Sequence, residues 1–164
     1  MLELADGDAV LTYTHEDLLD FHGTSSPAGV AIAYRVLERA LPLLSPGAPP
    51  QRLEIAIATA FGGPGARDAF ELATRAMSDG RYKVDRSLRR PDRGPALERF
   101  VFRLAYRGRE ATLLLREGLV SDEFAALAFA DERDAAGESR LTVLKAELAE
   151  RVLAAGDAVE AEGA

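Results

Sequence analysis

A chain of 164 residues, 48% hydrophobic and 29% charged, has the size and composition of one globular domain and not of a disordered or fibrous chain. Twenty Lys and Arg against 27 Asp and Glu leave a net charge of −7, which argues against nonspecific binding to nucleic acid or to an anionic membrane. Cysteine is absent, so thiolate chemistry and the commonest soft metal ligand are closed to it.

Met1 to Asp8 is acidic and lacks the basic start and apolar middle of a signal peptide. No apolar run approaches the roughly 20 residues of a membrane span, and the cytoplasm is the default compartment. Thr14-His15-Glu16-Asp17 predicts a helix start, with Thr14 as cap and Asp17 completing a weak capping box. Leu18, Leu19 and Phe21 form its apolar side, His15 sits exposed in its first turn, and Gly23 ends it. Ser26-Pro27 opens a second helix, serine as cap and proline where a missing N–H costs nothing. Its positions Val30, Tyr34, Leu37 and Leu41 recur at helical spacing, and Pro42 with the Ser45–Pro50 segment ends it.

Leu53 to Phe61 predicts a buried strand. Gly62-Gly63-Pro64-Gly65 then leads into a helix over 66–79, with Gly80 as its left-handed terminator. Tyr82 to Leu88 predicts an edge strand because Lys83, Asp85 and Arg86 interrupt it. Arg89 to Pro95 reads as a charged, solvated loop. Phe100, Phe102, Leu104 and Tyr106 alternate along a strand that turns at Arg107-Gly108 into a partner carrying Ala111, Leu113 and Leu115. A helix starts at Ser121 or Asp122, another covers 139–155, and the tail 156–164 is expected to fray. The expected architecture is therefore a single α+β domain over 1–155. It has a mixed three- to four-stranded sheet, one crossover helix between the first two strands, hairpins joining the rest, and helices on one face. Edges and apolar helices such as Val30 to Leu41 suggest a homodimer.

Between the first two helices stands Phe21-His22-Gly23-Thr24-Ser25-Ser26-Pro27-Ala28-Gly29, followed by Tyr34-Arg35. This resembles the formylmethanofuran dehydrogenase E-subunit family, in which a short helix ends in His-Gly-His-x-Cys-Pro-Gly and leads into an apolar helix. His22, Gly23 and Pro27 match; Thr24 stands at the second histidine and Ser26 at the cysteine. A second family block is similar to Asp68-Ala69-Phe70 with Gly80, where Gly65 stands in place of a cysteine. The likeness covers roughly residues 14–150. It implies the fold shared with the catalytic domain of glyceraldehyde-3-phosphate dehydrogenase, a dimer, and a site around His22 and Asp68. The family's C-terminal zinc-ribbon extension has no counterpart here. With both cysteines and one histidine replaced, the resemblance implies a metal-free member without a cofactor. His22 with Asp20, Asp68 or Glu71 would leave at most a weak ligand set.

Each candidate residue has two readings. His22 suits general acid/base work near neutral pH, with Asp68 as its partner, or it simply bonds the last carbonyls of its helix. Thr24, Ser25 and Ser26 can bind a small anion at a helix N-terminus, or Ser26 is only a cap. Gly63 and Gly65 lie where α/β proteins receive anionic ligands, or in a plain turn, since no P-loop or dinucleotide fingerprint is present. No Ser-His-Asp hydrolase signature is visible in the sequence. Three functions follow as expectations. The first is a metal-free small-ligand-binding or accessory protein. The second is an enzyme using His22 on a small anionic substrate, and the third a structural partner of a larger oxidoreductase.

Overall fold

In the computed structural model, which describes residues 1–163, the first 13 residues already form structure that the sequence pattern hides. Strands β1 (Leu2–Asp6) and β2 (Ala9–Tyr13) make an antiparallel hairpin, with Leu2 and Leu4 buried and Glu3 between them exposed. Five residues per strand around an acidic turn are too short a pattern to separate from a polar terminus. The hairpin is held by the loop at Pro50 and Gln51: Ala5 N–H donates to the Pro50 carbonyl at 2.8 Å.

Helix α1 (His15–His22) starts with the expected capping box, Thr14 and Asp17 bonding each other's backbone N–H at 3.2 and 2.8 Å. His15 is half-buried, not exposed: its ring stands edge-on to Tyr34 at 5.9 Å and its buried Nε2 has no partner. Burial pushes its imidazole below the ordinary value of 6.5; Arg35 acts in the same direction, against the opposing effect of Glu16. The folded protein therefore takes up this proton at lower pH than the unfolded chain does. The stability tied to neutral His15 is present above pH 6.5 and is lost as pH falls through the folded value. Urea midpoints should drop as pH falls below the ordinary imidazole value of 6.5 in the wild type, and less in His15→Asn. Equal drops in the two proteins would contradict this.

Helix α2 (Pro27–Leu44) runs through Pro42 and ends two residues later than expected, at Leu44. It is apolar on nearly every side because α1, α3 (Pro64–Thr74), α5 (Ala135–Ala154) and the sheet all pack on it. The chain thus covers this helix itself, which removes the apolar surface that would favour a dimer.

The main sheet has five strands, not three or four. Their order is β4 (Tyr82–Val84), β3 (Ala56–Thr59), β5 (Val101–Tyr106), β6 (Arg109–Leu115), β7 (Val159–Ala161). The crossover through α3 makes β3 and β4 parallel; every other pairing is antiparallel. β4 and β5 do not form a hairpin, since β5 pairs with the far side of β3 and leaves β4 at the edge. Arg107 and Gly108 supply the tight turn between β5 and β6 with φ of +47° and +80°. The tail does not fray throughout: Val159 is buried, and β7 pairs with Leu113–Leu115, while Ala164 lies outside the described residues. Ile57, Thr59, Phe102, Leu104, Leu113 and Leu115 face the helices and are buried. Ala58, Arg103 and Thr112, which are paired across the sheet, make the opposite, half-exposed face. The protein is α+β, with α2 lying on the sheet and the other helices around it.

The crossover helix stops at Thr74, five residues before the expected end, and Arg75 (φ +59°), not Gly80, is its left-handed cap. The buried Arg52 ends α3 from outside: its guanidinium donates to the carbonyls of Leu72 and Ala73, the latter at 3.1 Å. Arg81 donates to the Thr74 carbonyl at 2.9 Å. Positive charge at a helix C-terminus is favourable, and here it satisfies carbonyls that no residue of the helix can reach. Among the described residues, no helix is long and apolar enough to cross a membrane.

Candidate functional site

Two helix starts meet at the site. Gly23 (φ +95°) ends α1 by donating its N–H to the Leu19 carbonyl, and Thr24 and Ser25 carry the chain to Ser26, which opens α2. Beyond β3, the glycine turn delivers Gly63 to the start of α3. Each helix has proline at its first position and neither has a side-chain cap. Ser26 does not cap α2 with its side chain, contrary to expectation; at φ −142° and ψ 65° its hydroxyl makes no cap hydrogen bond. First-turn N–H groups have no partner within their own helix, so both helices present free donors here.

The two starts touch because both carry glycine. A Cβ on Gly65 would lie 2.2 Å from the Ser26 carbonyl oxygen, and one on Gly29 2.8 Å from the Ala66 nitrogen. Closest approach therefore brings Ser26 beside Gly65.

His22 ties the corner together. Its Nδ1 lies 2.8 Å from Asp68 Oδ2, in the second turn of α3. Its Nε2 accepts the Ser26 backbone N–H at 3.1 Å and lies 3.2 Å from Ser25 Oγ. A backbone N–H can only donate, so Nε2 carries the lone pair and the proton sits on Nδ1, facing the carboxylate. Arg67 Nε stands 3.4 Å from the other Asp68 oxygen. The imidazole is 3% exposed and the Asp68 side chain 30%. His22 does not bond the last carbonyls of its own helix; it joins the end of α1, the start of α2 and the body of α3.

Next to this corner opens a cavity of about 440 Å³. Of the residues named from the sequence, Ser26, Gly63 and Gly65 line it; Thr24, Ser25, His22 and Asp68 do not. His22 and Asp68 meet each other, but not across a shared concavity. Thr24 is exposed, and Ser25 reaches the cavity only through its carbonyl, which accepts from Lys145 Nζ at 3.2 Å.

The rest of the lining comes from distant parts of the chain. Phe61, Phe124, Phe129 and Leu141 form apolar walls, while Arg86, Arg99, Arg133 and Lys145 bring four cations and no acidic residue joins them. Arg133 is engaged by Glu138 at 3.0 Å and the Leu127 carbonyl at 2.8 Å. Arg86, Arg99 and Lys145 have no carboxylate within ion-pair distance among the described residues. The Arg99 guanidinium lies 4.0 Å from the centre of the Phe129 ring, and its buried Nε has no partner. Arg86, expected in the edge strand, lies beyond the end of β4 and lines the cavity, while in the loop expected to be solvated Arg90 pairs with Glu162 and Arg93 donates to the Leu115 carbonyl.

Among the described residues, no three His, Cys, Asp or Glu side chains are grouped as a metal site would require. No model of a known protein family matches the chain, and no curated protein matches it. The residues at the cavity supply paired helix dipoles, guanidinium and ammonium groups, and the Ser26 hydroxyl. All three favour negative charge.

Proposed function

We propose that the protein binds a small organic anion in the cavity at the starts of α2 and α3, acting as a ligand-binding or accessory protein without a metal. The observation that carries this reading is the charge of the cavity wall. Arg86, Arg99 and Lys145 line it with no carboxylate within ion-pair distance among the described residues, and no acidic residue joins them. The uncapped helix starts, with Ser26 in the lining beside them, support the same sign of ligand.

The resemblance to the E-subunit family of formylmethanofuran dehydrogenase remains part of this proposal. Ser26 and Gly65, which stand at its two cysteine positions, lie against each other, and the matching His22 and Asp68 are hydrogen-bonded. Residues serving one site in a family would need such neighbourhoods. A homodimer is a further part of it, supported only by the half-exposed sheet face of Ala58, Arg103 and Thr112.

The enzymatic alternative, His22 as acid/base, draws on one feature: Ser25 Oγ, the imidazole and Asp68 form a continuous chain. Against it, the single lone pair of Nε2 is shared with the Ser26 N–H, and protonating Nε2 would set two donors face to face. Binding is the reading the geometry supports best.

Thermal shifts at constant ionic strength test it. A ligand at 100 times its dissociation constant stabilises by about 2.7 kcal/mol, enough to raise the melting temperature by several degrees. At least one small organic anion should do so in the wild type and fail in the Arg99→Ala/Lys145→Ala double variant. Equal responses in both proteins would remove the cavity as the site.

A further inference from the structure

We propose that the anion is a phosphomonoester whose organic part is a ring-sized apolar group, a proposal that rests on the anion-binding reading and narrows it. Charge is the first argument. Arg86, Arg99 and Lys145, none paired with a carboxylate among the described residues, join two helix N-termini, each equivalent to about half a positive charge. A carboxylate brings one negative charge, whereas a phosphomonoester brings about 1.5 to 2 near neutral pH.

Donor geometry is the second. The free N–H groups of α2 and of α3 start from separate helices, and Ser26 adds a hydroxyl between them. A planar carboxylate offers two oxygens in one plane. A phosphate offers three acceptor oxygens in three directions, which suits donors converging from two helices and a side chain.

Size and walls are the third. A cavity of about 440 Å³ is within the range that holds organic ligands and is far larger than a bare phosphate fills. Phe124, Phe129 and Leu141 wall the part of it contributed by α4 (Asp122–Ala128), its C-terminal flank and α5. Phe129 also fixes Arg99 by stacking, so that the guanidinium is set in place before a ligand arrives.

Calorimetric titration with phenyl phosphate, inorganic phosphate and benzoate, at one ionic strength, tests the assignment. Phenyl phosphate is expected to bind at least tenfold more tightly than either of the others. Its binding should strengthen from about pH 5 to 7 as the second proton leaves the phosphate, whose pKa is about 6. Arg99→Ala should weaken it tenfold or more, and Ser26→Ala about threefold, with circular dichroism unchanged. Benzoate binding as tightly as phenyl phosphate would overturn the phosphate assignment and leave the anion reading standing. Inorganic phosphate binding as tightly would overturn the apolar group. Absence of heat with all three probes would overturn this inference, while a thermal shift from another organic anion would still uphold the broader reading.

Discussion

Gly65→Ala is expected to destabilise the protein by about 3 kcal/mol or more, at the upper end of what one added methyl does to a packed structure. Helix propensity alone would favour alanine by about 1 kcal/mol, so the sign is decided by space. The new Cβ would stand 2.2 Å from the Ser26 carbonyl oxygen and 3.1 Å from both Ser26 Cβ and the Val30 nitrogen. Two of those three atoms are backbone of α2 and its cap, and α2 is covered by three other helices and the sheet, which leaves it no direction in which to retreat. α3 would have to move instead, taking Asp68 away from His22. The neighbouring glycines set the scale. At Gly62 a Cβ meets only the Val84 side chain at 3.8 Å, and Gly62→Ala should be nearly neutral. At Gly63 it meets the Phe61 ring at 2.4 Å, a side chain that can turn away, so Gly63→Ala should fall between. Urea denaturation should therefore find Gly65→Ala the least stable of the three, Gly63→Ala intermediate and Gly62→Ala closest to the wild type. Gly65→Ala within about 0.5 kcal/mol of the wild type would mean that the helix starts are not closely packed.

The class of fold was legible in the sequence because the long elements advertise it. Val30, Tyr34, Leu37 and Leu41 repeat at helical spacing, and Phe102, Leu104 and Tyr106 alternate. What escaped has a physical reason in each case. β1, β2 and β7 are three to five residues long, shorter than a period can establish; β1 and β2 pair with each other, while β7 owes its place to β6, more than 40 residues earlier. The end of α3 at Thr74 is set by Arg52 and Arg81, which no local signal near Gly80 reveals. At the site, Ser26, Gly63 and Gly65 were readable because helix starts follow Pro and Gly. Arg99, Lys145, Phe124 and Phe129 were not, because a lone cation in a turn or helix looks like any surface charge until the fold gathers several. The family resemblance brought His22 and Asp68 to attention as a pair; their closeness, 2.8 Å, is a fact of packing that their separation of 46 residues conceals.

His22→Ala should cost about 2–4 kcal/mol, several times what a helix-end surface residue would. The imidazole is 3% exposed, and its removal strands two groups at once. The Ser26 N–H loses its acceptor at the start of α2, and the Asp68 carboxylate loses its donor while keeping only the 3.4 Å approach of Arg67. Each unmade bond costs about 1–3 kcal/mol when the group cannot reach water, and the Asp68 share is reduced because that side chain is 30% exposed. Asp68→Asn separates a tie from a catalytic pair. An amide oxygen still accepts the Nδ1–H, so a purely positional role predicts a loss below about 1 kcal/mol and unchanged phenyl phosphate affinity. An acid/base role predicts the reverse: little change in stability, and loss of whatever turnover the protein has, because the imidazolium would no longer face a charge. Paired urea melts and titrations of His22→Ala and Asp68→Asn therefore decide between the readings. If His22→Ala melts with the wild type while Asp68→Asn abolishes an activity, the corner at His22 is catalytic, and the binding proposal loses its priority.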